Sequence, residues 1–230
     1  MKALITGATS GIGEAFAREL HRQGHSIIAA GRNKAKLEQL KKELGSGTET
    51  IHADISTDAG IRKCLNKEID LLINNAGLGY YNNTTPEQDS EMVAVNIRAL
   101  TLLSSHYVKK IKELINVASV VAFFPYPYLN VYSASKAYVL NYTIALAKEN
   151  PNVNVQCLCP GATRTRFFER AGNKPMLKMQ EPEEVVKNSL EGLKKRKLVV
   201  ISGAKNQMVV AGSGMVSKEF LAGLLADREK

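Results

Sequence analysis

The chain has 230 residues, 44% of them hydrophobic and 23% charged, with 31 basic against 22 acidic side chains for a net charge of +9. Such a length and composition suit a single globular domain with a substantial core and exclude an intrinsically disordered chain. No apolar run approaches the ~20 residues that span a bilayer, so no transmembrane segment is expected, and the surplus of positive charge favours an anionic partner.

From the N-terminus, "KALIT" reads as a short apolar strand and "TGATSGIG" (6–13) as a glycine loop, an opening unlike a secretory leader. A cytoplasmic protein follows as the expectation. Ile12, Phe16 and Leu20 then recur at helical spacing up to Gly24, where a helix can stop. "SIIAA" (26–30) is the second strand. Asn33 can cap a helix whose Leu37, Leu40 and Leu44 form one stripe. "ETIHA" and "DLLIN" are further strands on either side of a short helical stretch. A long helix covers about 87–110, followed by strand "LINVA", a helix over about 131–149 and strand "VNVQCL". After Pro160, residues 161–181 read as a loop or lid, Pro182 opens a helix, and "KLVVIS" is the last strand.

Near-continuous apolar strands alternating with helices imply a parallel sheet covered on both faces: one doubly wound, Rossmann-type α/β domain over residues 1–230. Cys157 and Cys159 alternate along a strand and read as small buried hydrophobes rather than a reactive pair. Neither the three cysteines nor the four histidines show ligand spacing, so no metal is expected. The basic run "KKRK" (194–197) lacks interleaved aromatic residues for base stacking and reads as a solvated loop.

Strand, glycine loop and helix in succession form an arrangement that holds a phosphate, with Gly7, Gly11 and Gly13 allowing close backbone approach. A glycine-rich loop is by itself also an ordinary turn. In "YSASK", Tyr132 and Lys136 stand one helical turn apart on one face. That spacing fits a lysine resting on a surface tyrosine. It equally fits an ammonium that lowers the pKa of a phenol for proton exchange near neutral pH. "NNAG" (74–77), Asn96, "NVAS" (116–119) and "PGATRT" (160–165) fall with this pair at the carboxyl edge of the expected sheet, where ligands of open α/β folds collect.

In this order, TGxxxGxG, NNAG, Asn, Ser, YxxxK and PGxxxT, the chain resembles the short-chain dehydrogenase/reductase family over nearly its full length. The resemblance implies about seven parallel strands and a nicotinamide cofactor. It makes Tyr132 the catalytic acid/base and Lys136 the residue that binds the ribose and depresses the tyrosine pKa. Ser119, thirteen residues before the tyrosine, would bond the reacting oxygen, and Asn96 would hold a water behind Lys136. The cofactor-binding set it implies is Gly7, Thr9, Ser10, Gly11, Ile12, Gly13, Arg32, Asp54, Ile55, Asn75, Ala76, Gly77, Tyr132, Lys136, Pro160, Gly161, Thr163 and Thr165. Taken singly, Ser119 is also a loop cap, Asn96 a helix backbone partner, Asp54 a turn residue and Thr165 a helix cap.

The second strand ends in Gly31, Arg32 and Asn33 with no acid before Glu38. NAD-binding versions carry an acid there for the ribose hydroxyl, whereas an arginine pairs with a 2′-phosphate, so NADP(H) is expected rather than NAD(H). Phe123, Phe124, Tyr126, Tyr128, Phe167, Phe168, Met176 and Met179 suit a lipophilic carbonyl or alcohol substrate. The helices over 87–110 and 131–149 would pair in a homodimer. The extension 204–230 carries a stripe of Phe220, Leu221, Leu224 and Leu225, capped by Ser217 and expected to dock on the body or a dimer mate rather than on a membrane. The leading activity is hydride transfer between NADP(H) and a carbonyl or alcohol. A non-catalytic cofactor-binding sensor, and a protein that binds membrane surfaces or nucleic acid, stand as the alternatives.

Overall fold

A computed structural model describes residues 1–82, 84–172 and 179–228. Seven parallel strands form one sheet in the order β3-β2-β1-β4-β5-β6-β7, the doubly wound arrangement expected. They are β1 (Lys2–Thr6), β2 (Ser26–Gly31), β3 (Thr48–His52), β4 (Leu71–Asn74), β5 (Glu113–Val117), β6 (Asn154–Cys159) and β7 (Val199–Ile201). Alternate residues of a strand face opposite sides, and here both sides are dry. Ala3, Ile5, Ile27, Ala29, Leu71 and Ile73 pack beneath α1 (Gly11–Arg22), α2 (Lys34–Leu44) and α8 (Pro182–Lys194). Leu4, Ile28, Ala30, Leu72 and Leu114 pack on the other face, with α3 (Asp58–Leu65) and the helices that follow β4. The absence of a polar alternation in the strands therefore has its cause in two covered faces.

The local signals act as their chemistry dictates. The Asn33 side chain accepts from the Lys36 N–H at 3.0 Å, and Pro182 opens α8. Thr85 and Gln88 form a reciprocal capping box around Pro86, a start signal that Thr-Pro-Glu-Gln carries in its residue types. The helix expected over 87–110 is a run of three pieces: α4 (Pro86–Val93), a π-helical turn (Ala94–Ala99) and α5 (Leu100–Tyr107). A π turn widens the helix by one residue, and Asn96 sits inside it. A 3-10 turn (Val120–Phe123) precedes α6 (Asn130–Glu149).

Between β6 and α8 the chain is stitched at its base. Arg164 N donates to Gln180 O, Gln180 N donates to Ala162 O, and α7 (Phe167–Ala171) lies between. Met176 lies outside the described residues, as do 173–178 generally. The C-terminal extension forms two helices, α9 (Ala204–Ser213) and, where the stripe was expected to be helical, α10 (Lys218–Arg228). Ser217 caps α10 as expected, accepting from Phe220 N at 3.2 Å. The stripe is only partly covered by the chain's own body: Leu221 and Leu225 are half-buried, while Phe220 is 63% and Leu224 51% exposed. The spacing specifies an apolar face but not what it meets.

Because α10 adds little burial, deleting residues 217–230 should leave the melting temperature within about 2 °C of the full chain at low protein concentration. A fall of more than about 5 °C in a thermal-shift measurement would show that the stripe is covered in solution.

Candidate active site

The glycine loop joins β1 to α1 under tight steric control. Gly7 has φ +68°, a conformation L side chains rarely adopt, and a Cβ on Gly13 would run into Asn75 Nδ2 and the Gly7 carbonyl. Asn75 enforces this approach, donating from Nδ2 to Thr6 O at 3.0 Å and to Gly7 O at 3.3 Å. The Thr6 hydroxyl accepts from Asn75 N and Ala76 N, so β1 and the segment after β4 are laced together. Ser10, at the N-cap of α1, makes no side-chain cap, which leaves the first-turn N–H groups directed outward. Thr165 touches Gly11 through its methyl side, while its hydroxyl accepts from Phe167 N. A cleft of about 360 Å³ at this helix end is lined by Ser10, Gly11, Arg18, Lys36, Arg164 and Arg166 together with Glu14, Glu169 and Glu183, and Arg18 and Arg164 are already paired with glutamates. The backbone N–H groups and the helix dipole, rather than the mixed charge of the side chains, fit a dinucleotide's diphosphate.

Other expected contacts fall around the same edge. Thr9 packs on Gly31, and Thr163 Oγ1 donates to Gly161 O at 3.0 Å. Gly161 lies against Asn206 of α9. Ile55 is a core residue and Ile12 packs on the core, so each is floor rather than free surface. Asp54 is exposed and closes a local turn, its Oδ1 accepting from Ser56 N and Ser56 Oγ. Partial burial raises its pKa, but these bonds and the Arg32 charge outweigh it and leave the carboxyl below its ordinary value. Arg32 is engaged by a residue far from it in sequence: its Nη1 donates to Glu91 Oε1 at 2.9 Å.

Lys136 is buried, 4% exposed, with Nζ donating to Val117 O at 2.9 Å and lying 5.6 Å from the centre of the Tyr132 ring. Cys157 and Cys159 are fully buried nearby, with sulfurs 3.9 Å apart, and act as packing. The Asn96 amide is committed to protein: Nδ2 donates to Leu78 O and Ser135 Oγ, and Oδ1 accepts from Leu78 N. It clamps the segment after NNAG to α6. Pro160 O accepts from Ser119 Oγ at 3.4 Å, which ties the ends of β5 and β6 together.

In the chain alone, burial rather than the lysine charge dominates the ionisation of the tyrosine. Burial pushes Tyr132 up to about 12, with a hydrogen bond from Ser119 acting the other way. The ammonium sits against the ring face and a backbone carbonyl rather than at the phenol oxygen. Lys136 itself is drawn down to about 8 by burial, with the two cysteines acting against that. At pH 7 the pair is therefore a neutral phenol above an ammonium. Phe167 closes one side of Tyr132, ring centres 5.0 Å apart, and Phe168 stacks edge-on to Phe167. Tyr81 and Tyr128 pair further out. Among the described residues no group of three or more His, Cys, Asp or Glu is placed to hold a metal, and no helix is long and apolar enough to cross a membrane.

The short chain dehydrogenase family model matches residues 1–175. Serine 3-dehydrogenase of Rhizobium radiobacter is 34% identical over 180 residues, covering 71% of this chain and 72% of that one. The 7beta-hydroxysteroid dehydrogenase of Clostridium sardiniense is 31% identical over 227 residues, covering 89% and 86%. Among solved structures, a short-chain dehydrogenase from Sphingobium yanoikuyae in complex with NADPH superposes with a TM-score of 0.83 at 32% identity, covering 98% of this chain and 95% of that one.

The buried ammonium has a stability signature. Below about pH 8 Lys136 is charged in the folded and the unfolded chain alike, and the folded state bears the burial penalty. Between about 8 and its ordinary 10.5 the unfolded chain holds more protons, so this contribution to stability rises with pH and levels off above that range. Lys136→Met should therefore stabilise the fold at pH 7 by about 2 kcal/mol, with the gain vanishing above about pH 10. Denaturant melts across pH would refute this if the variant were less stable at pH 7.

Proposed function

The chain belongs to the short-chain dehydrogenase/reductase family of oxidoreductases, which act on hydroxyl and carbonyl groups, and on that premise we propose that it reduces a lipophilic carbonyl compound with NADPH or runs the reverse oxidation. One observation carries the reading: a phenol, a serine hydroxyl and a buried ammonium converge beside a glycine loop shaped for a diphosphate. A non-catalytic sensor of the same fold has no need of that convergence.

NADPH, when bound, supplies the hydride. Gly7, Ser10, Gly11 and Gly13 hold the diphosphate through backbone N–H groups, Asn75 to Gly77 and Pro160 to Thr165 wall the site, and Arg32 meets the 2′-phosphate. The missing acid at the end of β2 supports NADP(H), as does the NADPH bound by the Sphingobium relative. Ser119 holds the substrate oxygen, and the Tyr132 O–H delivers a proton to it as the carbonyl becomes an alcohol. Burial keeps the Tyr132 phenol protonated at pH 7, the state that proton donation to a carbonyl requires. The Lys136 ammonium under the ring attracts the negative charge that develops on the phenol oxygen. Asn96 fixes the segment after Gly77 against α6, and in this reading orders a water behind Lys136.

Relatives named for serine and for a hydroxysteroid differ widely in polarity, so the substrate class rests on this chain's own wall. Phe167 and Phe168 beside Tyr132 present aromatic surface, and residues 161–181 that carry them act as the lid. Exposed Val93 and Leu102 on the 86–107 helical run support the homodimer reading, and the cytoplasm remains the proposed location.

Tyr132→Phe should lower kcat at least about 10³-fold in an aldehyde and ketone panel while NADPH still binds, since only the proton is lost. A variant that keeps most of its turnover would remove Tyr132 from the reaction. A wild type that binds NADPH yet turns over nothing in the panel would favour the sensor.

A further inference from the structure

Arg32 leaves the carboxyl end of β2 with its side chain 53% exposed, and it does not stand free. Its guanidinium meets Glu91 of α4, 59 residues away in sequence, across the edge of the sheet at 2.9 Å. Glu91 is itself pinned, because its other oxygen, Oε2, accepts from the Tyr80 hydroxyl at 2.6 Å. Tyr80 belongs to the segment that follows Asn75, Ala76 and Gly77, so the chain of contacts runs from the second strand to the fourth through α4. The Glu91 carboxylate holds the Tyr80 proton more tightly than usual, a sign that the anion stands against the phenol. Asp54 feels the Arg32 charge as well. Glu91 is the carboxylate bonded to this guanidinium, while the Asp54 oxygen is turned to Ser56.

We propose that Glu91, fixed by Tyr80, is a cofactor-selectivity residue that competes with a 2′-phosphate for Arg32 and so restrains the preference for the phosphorylated dinucleotide. The inference rests on the NADP(H) reading above. A 2′-phosphate brings about two negative charges to a guanidinium already bonded to a carboxylate. To engage it, Arg32 must turn from Glu91 or share its fork with it, and phosphate and carboxylate then repel at close range. A ribose 2′-hydroxyl meets no such opposition, and a carboxylate is a ready acceptor for it. Selectivity is a difference between two affinities, and a built-in repulsive element lowers one of them alone. The exposure of Arg32 limits the effect to a few-fold, since screened surface pairs are weak.

The test is calorimetric titration of NADPH and NADH into the wild type, Glu91→Gln, Tyr80→Phe and Glu91→Gln combined with Arg32→Ala. Glutamine keeps the shape and can still accept from Tyr80, so folding is not at stake. The expected result is a Kd for NADPH lowered roughly three- to ten-fold by E91Q with NADH unchanged or weakened. Y80F should move in the same direction by less, and the E91Q gain should shrink when Arg32 is absent. An E91Q protein that binds NADPH no more tightly than the wild type overturns the proposal while leaving the cofactor reading intact. Weaker binding would make Glu91 a support that aims Arg32, which also overturns it. A wild type that binds neither dinucleotide removes the cofactor reading and the proposal with it.

Discussion

A lysine ammonium buried at the end of a central strand is the constraint around which the site is arranged. Lys136 stands on α6 with its charge held by the Val117 carbonyl, beneath the face of an aromatic ring and above two packed cysteines. Burying a cation is unfavourable unless hydrogen bonds and nearby electron-rich groups offset it, and here the fall in its pKa measures how incompletely they do. A fold optimised for stability alone would place a methionine there. The charge is held instead where a phenol can use it, at the carboxyl edge beside the loop that suits a diphosphate.

Holding those groups in register takes a rigid edge, and polar side chains supply it. Asn74 donates to Ser104 and Asn116, and Asn116 donates to Thr143 of α6, all of them buried. This network ties β4 and β5 to α5 and α6. Thr6 and Asn75 do the same for β1 and β4. Asn74 Oδ1 finds no partner, but the bonds made by the other atoms of the network specify one arrangement of the strands, and a slip in register would leave several amides unpaired. The first Asn of NNAG is thus a core strut and the second shapes the glycine loop, so neither needs to touch a ligand to matter for the site.

Much of this was legible in the sequence. The parallel sheet and its two-sided core follow from apolar runs alternating with helices, and the caps at Asn33, Pro182 and Ser217 act as their residue types require. What stayed hidden depended on distance through space. No local pattern announces that Glu91 reaches Arg32, or that a π turn places Asn96 against Leu78 and Ser135. The spacing of Tyr132 and Lys136 gave their common face but not their ionisation, because burial rather than proximity sets both pKa values. The tail's apolar stripe likewise has the right period, and its exposure could only be seen once the body was folded.

The most direct test of this account is the ionisation of Lys136 itself, read by NMR titration of lysine side chains labelled at the ε-carbon, with Lys136→Met to assign the resonance. The account predicts one lysine with an apparent pKa of about 8. If every lysine titrates above about 10, as exposed ammonium groups do, the charge is not buried and the arrangement described here is wrong.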